Sequence, residues 1–290
     1  MASKEDIQHH YDVNNGFYKL FLDANYRAYS CGVWDGAATL EEAQVNKLSR
    51  LARYAHIKQG GNILDIGCGW GGMMSYALDE CRASSAYGIT LSQHQYDYVS
   101  AFDNNKVTVD LMNWCDLDAK RKFDAIVSIG AFEHFATLSD KFKKNHVEVY
   151  RSFFKKCWDI TVDGSYLGLQ TIVTVRMPES RRELKDVKML LRDVFPGSSL
   201  PTISDIQASA AGLYEINKLK LIGKDYKKTL DCWLDRLKEN KENIIQSYGS
   251  GVYHSYFEYF VAAGSCFESG LIDLLQVSLK RVAQAPWYIK

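Results

Sequence analysis

The sequence predicts an α/β domain built on a parallel sheet, with helices ahead of it and one helical insertion inside it. Three observations carry this prediction. Between residues 60 and 175, short apolar runs of strand length alternate with helix-like stretches. The first run ends in the glycine-rich turn Asp65-Ile66-Gly67-Cys68-Gly69-Trp70-Gly71, which leads into an apolar segment, Met73 to Leu78, that reads as helix. Four glycine-containing or polar segments, Gly67–Gly71, Thr90–Gln95, Asn113–Trp114 and Gly130–His134, fall at the carboxyl ends of predicted strands. That edge of an open α/β sheet is where ligands bind.

Taken in order, residues 4–58 read as mostly helical. Ile7–Phe21 is one helix and Thr39–Tyr54 another, where Thr39 followed three residues later by Glu42 makes a capping box. An irregular tyrosine-rich stretch, Tyr26–Trp34, joins them. The predicted strands are Asn62–Asp65, Ala86–Thr90, Val107–Met112, Ala125–Ile129 and Tyr166–Thr174. An insertion follows at about 177–200, with Leu184, Val187, Leu190, Leu191 and Val194 at helical spacing, ending in Phe195-Pro196-Gly197. It reads as a lid over the site or as an amphipathic helix packed on the core. Residues 201–276 add a helix, a strand near Leu213–Leu219, a helix 228–245 and an aromatic helix Val252–Phe267. The chain thus divides into an N-terminal helical segment, 1–58, and an α/β domain, 59–290.

The 290 residues carry 35 Lys+Arg against 35 Asp+Glu, so nothing global points to nucleic acid as a partner. No stretch is apolar for long enough to form a transmembrane span, and no leader is read at the N-terminus. Seven scattered cysteines show no metal-ligand or redox spacing, which fits reduced thiols in a cytoplasmic protein with no metal site.

The glycine turn by itself leaves the ligand open. A dinucleotide fingerprint is G-x-G-x-x-G with an acid about 20 residues on. Here the spacing is G-x-G-x-G, and Thr90 stands where that acid would be.

Several further motifs run along the chain in order: Tyr29-Ser30-Cys31, Leu40-Glu41-Glu42-Ala43-Gln44, Gly88-Ile89-Thr90-Leu91-Ser92 with Gln95, Ser128-Ile129-Gly130-Ala131-Phe132-Glu133-His134-Phe135, Phe195-Pro196-Gly197, and Tyr226 with Thr229-Leu230-Asp231 and Trp233. Together with Leu64–Gly71, they make the chain resemble the cyclopropane fatty acid and mycolic acid cyclopropane synthase family of S-adenosylmethionine-dependent methyltransferases, over about residues 8–275. The resemblance implies a Rossmann-like, seven-stranded methyltransferase sheet. It implies that Asp65, Gly67, Gly69 and Gly71 lie along the methionine portion of S-adenosylmethionine, with Tyr29 and Ser30 closing over it. Thr90, Leu91 and Gln95 would address the ribose and adenosine, and Trp114 would border the adenine. Ordinary core packing is the alternative for Leu91 and Trp114.

Methyl transfer to an alkene carbon creates a carbocation, which calls for aromatic faces or carboxylate charge nearby and for a base. In the family, the resemblance implies a bicarbonate held by the backbone at a Cys and by a Glu, a His and a Tyr. Cys31, Glu133 and Tyr226 occupy three of these places. Glu133, just past an apolar strand, should have a raised pKa; its alternative is a helix cap. The fourth place holds Gln170, in Gln170-Thr171-Ile172, which cannot take a proton at neutral pH. This departure puts the bicarbonate in doubt and leaves His134 and His94 as alternative bases.

The insertion carries Arg176, Arg181, Arg182, Lys185, Lys188 and Arg192, either a solvated face or a docking surface for an acidic carrier protein or carboxylated substrate. With Gln170, this polar lid favours C- or N-methylation of a hydrophobic small-molecule or carrier-bound acceptor in specialised metabolism. The alternative is cyclopropanation or methylation of an unsaturated acyl chain.

Overall fold

The computed structural model describes residues 15–194 and 197–283. Most of the predicted first helix lies outside them, as do Phe195 and Pro196. In chain order the elements are α1 (Asn15–Tyr18), α2 (Leu40–Tyr54), β1 (Asn62–Ile66), α3 (Gly72–Asp79), β2 (Ser85–Thr90), α4 (Gln93–Ser100), β3 (Val107–Leu111), β4 (Phe123–Ile129), α5 (Leu138–Phe142), α6 (His146–Asp159), β5 (Thr161–Thr174), α7 (Arg181–Met189), α8 (Ile203–Ala210), β6 (Tyr214–Leu221), α9 (Gly223–Glu239), α10 (Lys241–Tyr248), α11 (Ser250–Glu268) and β7 (Ile272–Arg281). Short 3₁₀ turns cover Trp114–Asp116 and Phe132–His134, and a π-helical turn, Leu190–Val194, extends α7.

The seven strands form one sheet in the order β3-β2-β1-β4-β5-β7-β6. The first five are parallel, as the alternating pattern requires, whereas β7 runs antiparallel to both β5 and β6. The alternation over residues 60–175 therefore gives the parallel part of the sheet, and the segment beyond it makes the sheet mixed. The strand that makes the difference, β7, was not among those located from the sequence. Its segment Ile272–Leu279 is buried along nearly all its length, including Gln276 and Ser278, so it lacks the polar-out alternation that marks a half-exposed strand. The predicted helix 228–245 is two helices, α9 and α10, meeting at Asn240, whose side-chain amide donates to Leu20 O and Arg236 O. The helix expected to reach Phe21 ends as a single described turn at Tyr18.

Helix α2 begins as read: Thr39 accepts from Glu42 N at 3.2 Å, and Glu42 Oε2 accepts from Thr39 N at 3.2 Å. Its buried face lies across β5 and β7, and Gly168 permits the approach, since a Cβ there would stand 3.0 Å from Leu51 O. The N-terminal segment also reaches over the glycine turn. Trp70 Nε1 donates to Asn15 Oδ1 at 2.9 Å, and a Cβ on Gly72 would meet Tyr26 O at 2.7 Å. Helix α7 packs on α11, with Leu190 buried and Val187 and Met189 partly so. No helix among the described residues is long and apolar enough to cross a membrane.

Candidate active site

Strand β1 delivers Asp65 and then a turn that only glycine accommodates without strain: φ is +80° at Gly67, +56° at Gly69 and +78° at Gly71. Gly67 N and Cys68 N both donate to Ile89 O at 3.0 Å, which ties the turn to β2. Gly71 caps α3 and packs against Phe102 and Val99. The turn lines a cavity of about 150 Å³ at the carboxyl edge of β1, β2 and β4. Tyr29, Ser30, Asp65, Gly67, Gly69, Thr90, Leu91, Gln95 and Trp114 all border it; Gly71 does not, and its neighbour Gly72 takes that place.

The cavity wall is polar at defined points. Thr90 Oγ1 donates to Gln95 Oε1 at 2.7 Å, so the Gln95 amide N–H groups are what this pair can offer a ligand. Asn113 accepts from Cys115 N at 3.2 Å and so starts the 3₁₀ turn that holds Trp114, whose ring leans on Phe135 and Phe153. Trp114 Nε1 and Asp65 Oδ1 are both buried without a hydrogen-bond partner. Burial pushes the Asp65 carboxyl up to about 7, against the pull of Lys47. Two orphaned polar atoms in a glycine-lined cavity mark it as built for a ligand with complementary groups.

Four residues assigned to the reaction centre lie outside that cavity's wall. Glu133 sits on the 3₁₀ turn after β4, 2% exposed. Its Oε1 accepts from Ile172 N at 2.7 Å, while Oε2 is buried with no partner. Desolvation raises it from 4.5 to about 7, partly offset by the Ile172 N–H and Thr171. The cap reading for Glu133 is therefore replaced: its carboxylate bonds β5 and caps no helix. Gln170 is also buried, and its Oε1 accepts from Gln276 Nε2 at 2.7 Å. Gln276 Oε1 in turn accepts from Arg50 Nη1 at 3.3 Å.

Cys31 is fully buried; its thiol donates to Gly32 O at 3.0 Å, and burial pushes its pKa well up, so it is no thiolate. Thr229 Oγ1 approaches Cys31 Sγ at 3.9 Å, linking that loop to the helix that carries Tyr226. The Tyr226 ring lies 4.6 Å from Phe267 and 6.2 Å from Trp233, in the same apolar cluster as Cys31 and Ile172. His134 borders the cofactor-side cavity, but burial depresses it to about 4, so it is neutral near pH 7. No described residue of 177–200 lines the cavity. Arg176 is committed to Glu183 (Nη1 to Oε2, 3.2 Å) and to Ser269 O, which removes it from any free docking charge.

The mycolic acid cyclopropane synthetase model matches residues 1–277. The chain belongs to this family. It is 35% identical over 292 residues to a protein named cyclopropane mycolic acid synthase 2 from Mycobacterium tuberculosis (strain CDC 1551 / Oshkosh), covering 95% of this chain and 94% of that one. The solved structure of the cyclopropane synthase MmaA2 from Mycobacterium tuberculosis superimposes with a TM-score of 0.87 at 30% identity, covering 97% of this chain and 99% of the other. That of mycolic acid cyclopropane synthase CmaA1 with SAH and CTAB gives 0.86 at 29% identity, over 96% and 98%. This cyclopropane synthetase relative is an S-adenosylmethionine-dependent methyltransferase with the fold that the resemblance implied.

Sequence reading missed Lys47, Arg50, Tyr259 and Gln276. Lys47 and Arg50 left a signal: both stand on the buried stripe of α2 among Leu40, Ala43, Leu48 and Leu51, where a cation is costly. Tyr259 and Gln276 left none, because each is placed by contacts across the fold. Tyr259 hydrogen-bonds Tyr29, and its pKa is raised by burial, Tyr256 and Glu133.

Proposed function

We propose that the protein transfers a methyl group to an alkene carbon of an unsaturated acyl chain, with Glu133 as the carboxylate at the reacting end. The names of the relatives support an acyl acceptor over a compact specialised metabolite, the reading that Gln170 and the charged insertion first favoured. S-adenosylmethionine supplies an electrophilic methyl group on a sulfonium. Gly67, Gly69, Tyr29 and Ser30 would hold its amino-acid end, and Thr90, Gln95 and Trp114 its nucleoside.

The observation that carries the proposal is the second oxygen of Glu133. It is buried, unpartnered and attached to a carboxyl whose pKa of about 7 matches a proton acceptor at neutral pH. Its sister oxygen is held by Ile172 N–H, which fixes the group in place. As the alkene carbon bonds to the methyl carbon, the methyl–sulfur bond would break with its electron pair staying on sulfur as a neutral thioether, and the positive charge would pass into the acyl chain. Glu133 stabilises that charge and accepts the proton the chain sheds, closing a ring or restoring a double bond. Tyr226, Phe267 and Trp233 present aromatic faces in the adjoining cluster and exclude water.

No step is drawn through a bicarbonate. The Cys31 thiol is taken by Gly32 O and the Ile172 N–H by Glu133, and Gln170, whose Oε1 accepts from Gln276 Nε2, brings an amide in place of a proton-accepting histidine.

The test is turnover of a cis-unsaturated acyl substrate with trideuteromethyl-labelled cofactor. Labelled product is expected, and the deuterium count identifies the carbon that yields the proton: two means ring closure and three means a methyl branch. A protein that binds the cofactor but labels no acyl chain, while labelling an amine or a compact carbon acceptor, overturns the reading.

A further inference from the structure

Lys47 stands out among the buried charges. It is 1% exposed, yet it borders the cavity beside Ser30, Tyr29 and Asp65. Its described hydrogen bond is to a neutral atom, Ser30 Oγ, at 3.0 Å. Among the described residues no carboxylate lies within ion-pair distance of its Nζ. Asp23 is near enough to be felt, but its two oxygens accept from Tyr26 N and Ala28 N at 2.7 Å each. Asp65 is also felt at longer range, and its own Oδ1 is left without a partner.

A lysine is almost never fully buried without a counter-charge, because desolvating an ammonium costs several kcal/mol. Burial has already pulled Lys47 down to about 8. The fold therefore maintains a cation in the wall of its ligand cavity with no described carboxylate in ion-pair contact with it. An anion brought by the ligand supplies what is missing.

We propose that Lys47 receives the α-carboxylate at the amino-acid end of S-adenosylmethionine, with Ser30 Oγ aligning its ammonium. The unpartnered Asp65 Oδ1 in the same wall is the complementary place for the α-ammonium. Helix α2 thereby does more than cover β5 and β7; it brings one charge of the cofactor clamp. The proposal rests on S-adenosylmethionine occupying this cavity.

Calorimetry on the whole protein tests it by pairing two ligands with two proteins. S-adenosylmethionine is compared with its decarboxylated analogue, on the unmodified chain and on Lys47→Met. The unmodified chain is expected to bind S-adenosylmethionine at least about 30-fold more tightly than the analogue, as suits a charge-assisted bond in a buried site. Lys47→Met is expected to lose that discrimination, with little change toward the analogue. Lys47→Arg is expected to recover part of it.

Replacing a buried unpaired cation by an apolar chain should preserve folding, and thermal melting checks this. An unmodified chain that binds both ligands equally overturns the proposal whatever the variant does. Equal losses for both ligands would assign Lys47 to the fold instead. Arg27 borders the same cavity, and a discrimination lost in Arg27→Gln but kept in Lys47→Met would transfer the role to it. Failure of the unmodified chain to bind either ligand would instead strike at the cofactor placement, so the two failures read differently.

Discussion

Replacing Glu133 by Gln should flatten the dependence of folding stability on pH. In the folded, ligand-free protein this carboxyl is raised from 4.5 to about 7, chiefly by burial. At about 1.4 kcal/mol per pH unit, the offset corresponds to about 3 kcal/mol. The folded pKa exceeds the unfolded one, so the folded chain binds the extra proton. The associated stability is complete below about 4.5 and is lost as pH rises through about 7.

Gln cannot ionise, and its carbonyl oxygen can still accept from Ile172 N. Other buried groups titrate in the same range: Asp65, raised to about 7, in the same direction, and His134, lowered to about 4, in the opposite one. Lys47, lowered to about 8, penalises the fold below that pH and recovers above it. All three remain in the variant, so they cancel in the difference between the two curves. Urea unfolding of both proteins at about pH 5 and pH 8.5 is the assay. The variant's stability relative to the parent should rise by about 2–3 kcal/mol across that interval. Parallel curves would show that Glu133 is not held as a desolvated carboxylate, and the proton-acceptor argument would fall with them.

Two further outcomes are expected. Gly67→Ala should cost about 2–5 kcal/mol of stability in urea unfolding, because φ is +80° and the new Cβ would stand 2.6 Å from Ala131 Cβ; Gly69→Ala, with nothing within 4 Å, should cost about 1 kcal/mol from its positive φ, and a loss as large as at Gly67 would contradict the packing argument. Gln170→His should fold normally and turn over at a rate insensitive to added bicarbonate; a large bicarbonate-dependent gain would bring the anion into the mechanism in place of Glu133 acting alone.

Much of the site was legible locally. The glycine turn, Thr90–Gln95, Asn113–Trp114 and Gly130–His134 are runs whose spacing after apolar strands already places them at one sheet edge, and the structure gathers all four on one cavity. The raised pKa of Glu133 was legible too, since a carboxyl directly after a buried strand has little water to stabilise its ionised form. What escaped were residues defined by pairing between distant segments. Gln170 reads as a loss of chemistry until Gln276 on β7 is seen to donate to its oxygen, with Arg50 on α2 donating to Gln276 Oε1 in turn. The basic insertion reads as one charged face until Arg176 is seen bound to Glu183.

The sequence by itself determined the order of the first six strands, the glycine turn, the family and the cofactor, because these depend on short-range patterns and on residue types that few other arrangements use. Only the tertiary structure decided which charges are answered. Register between β5 and β7 sets Gln276 opposite Gln170, and the packing of α2 over the sheet buries Lys47 against Ser30 at the cavity wall. Those relations are distances across 106 and 17 residues of chain. The stripe on α2 hints at the burial of Lys47, but no local pattern encodes its partner or that of Gln170, because pairing is a property of the space between elements.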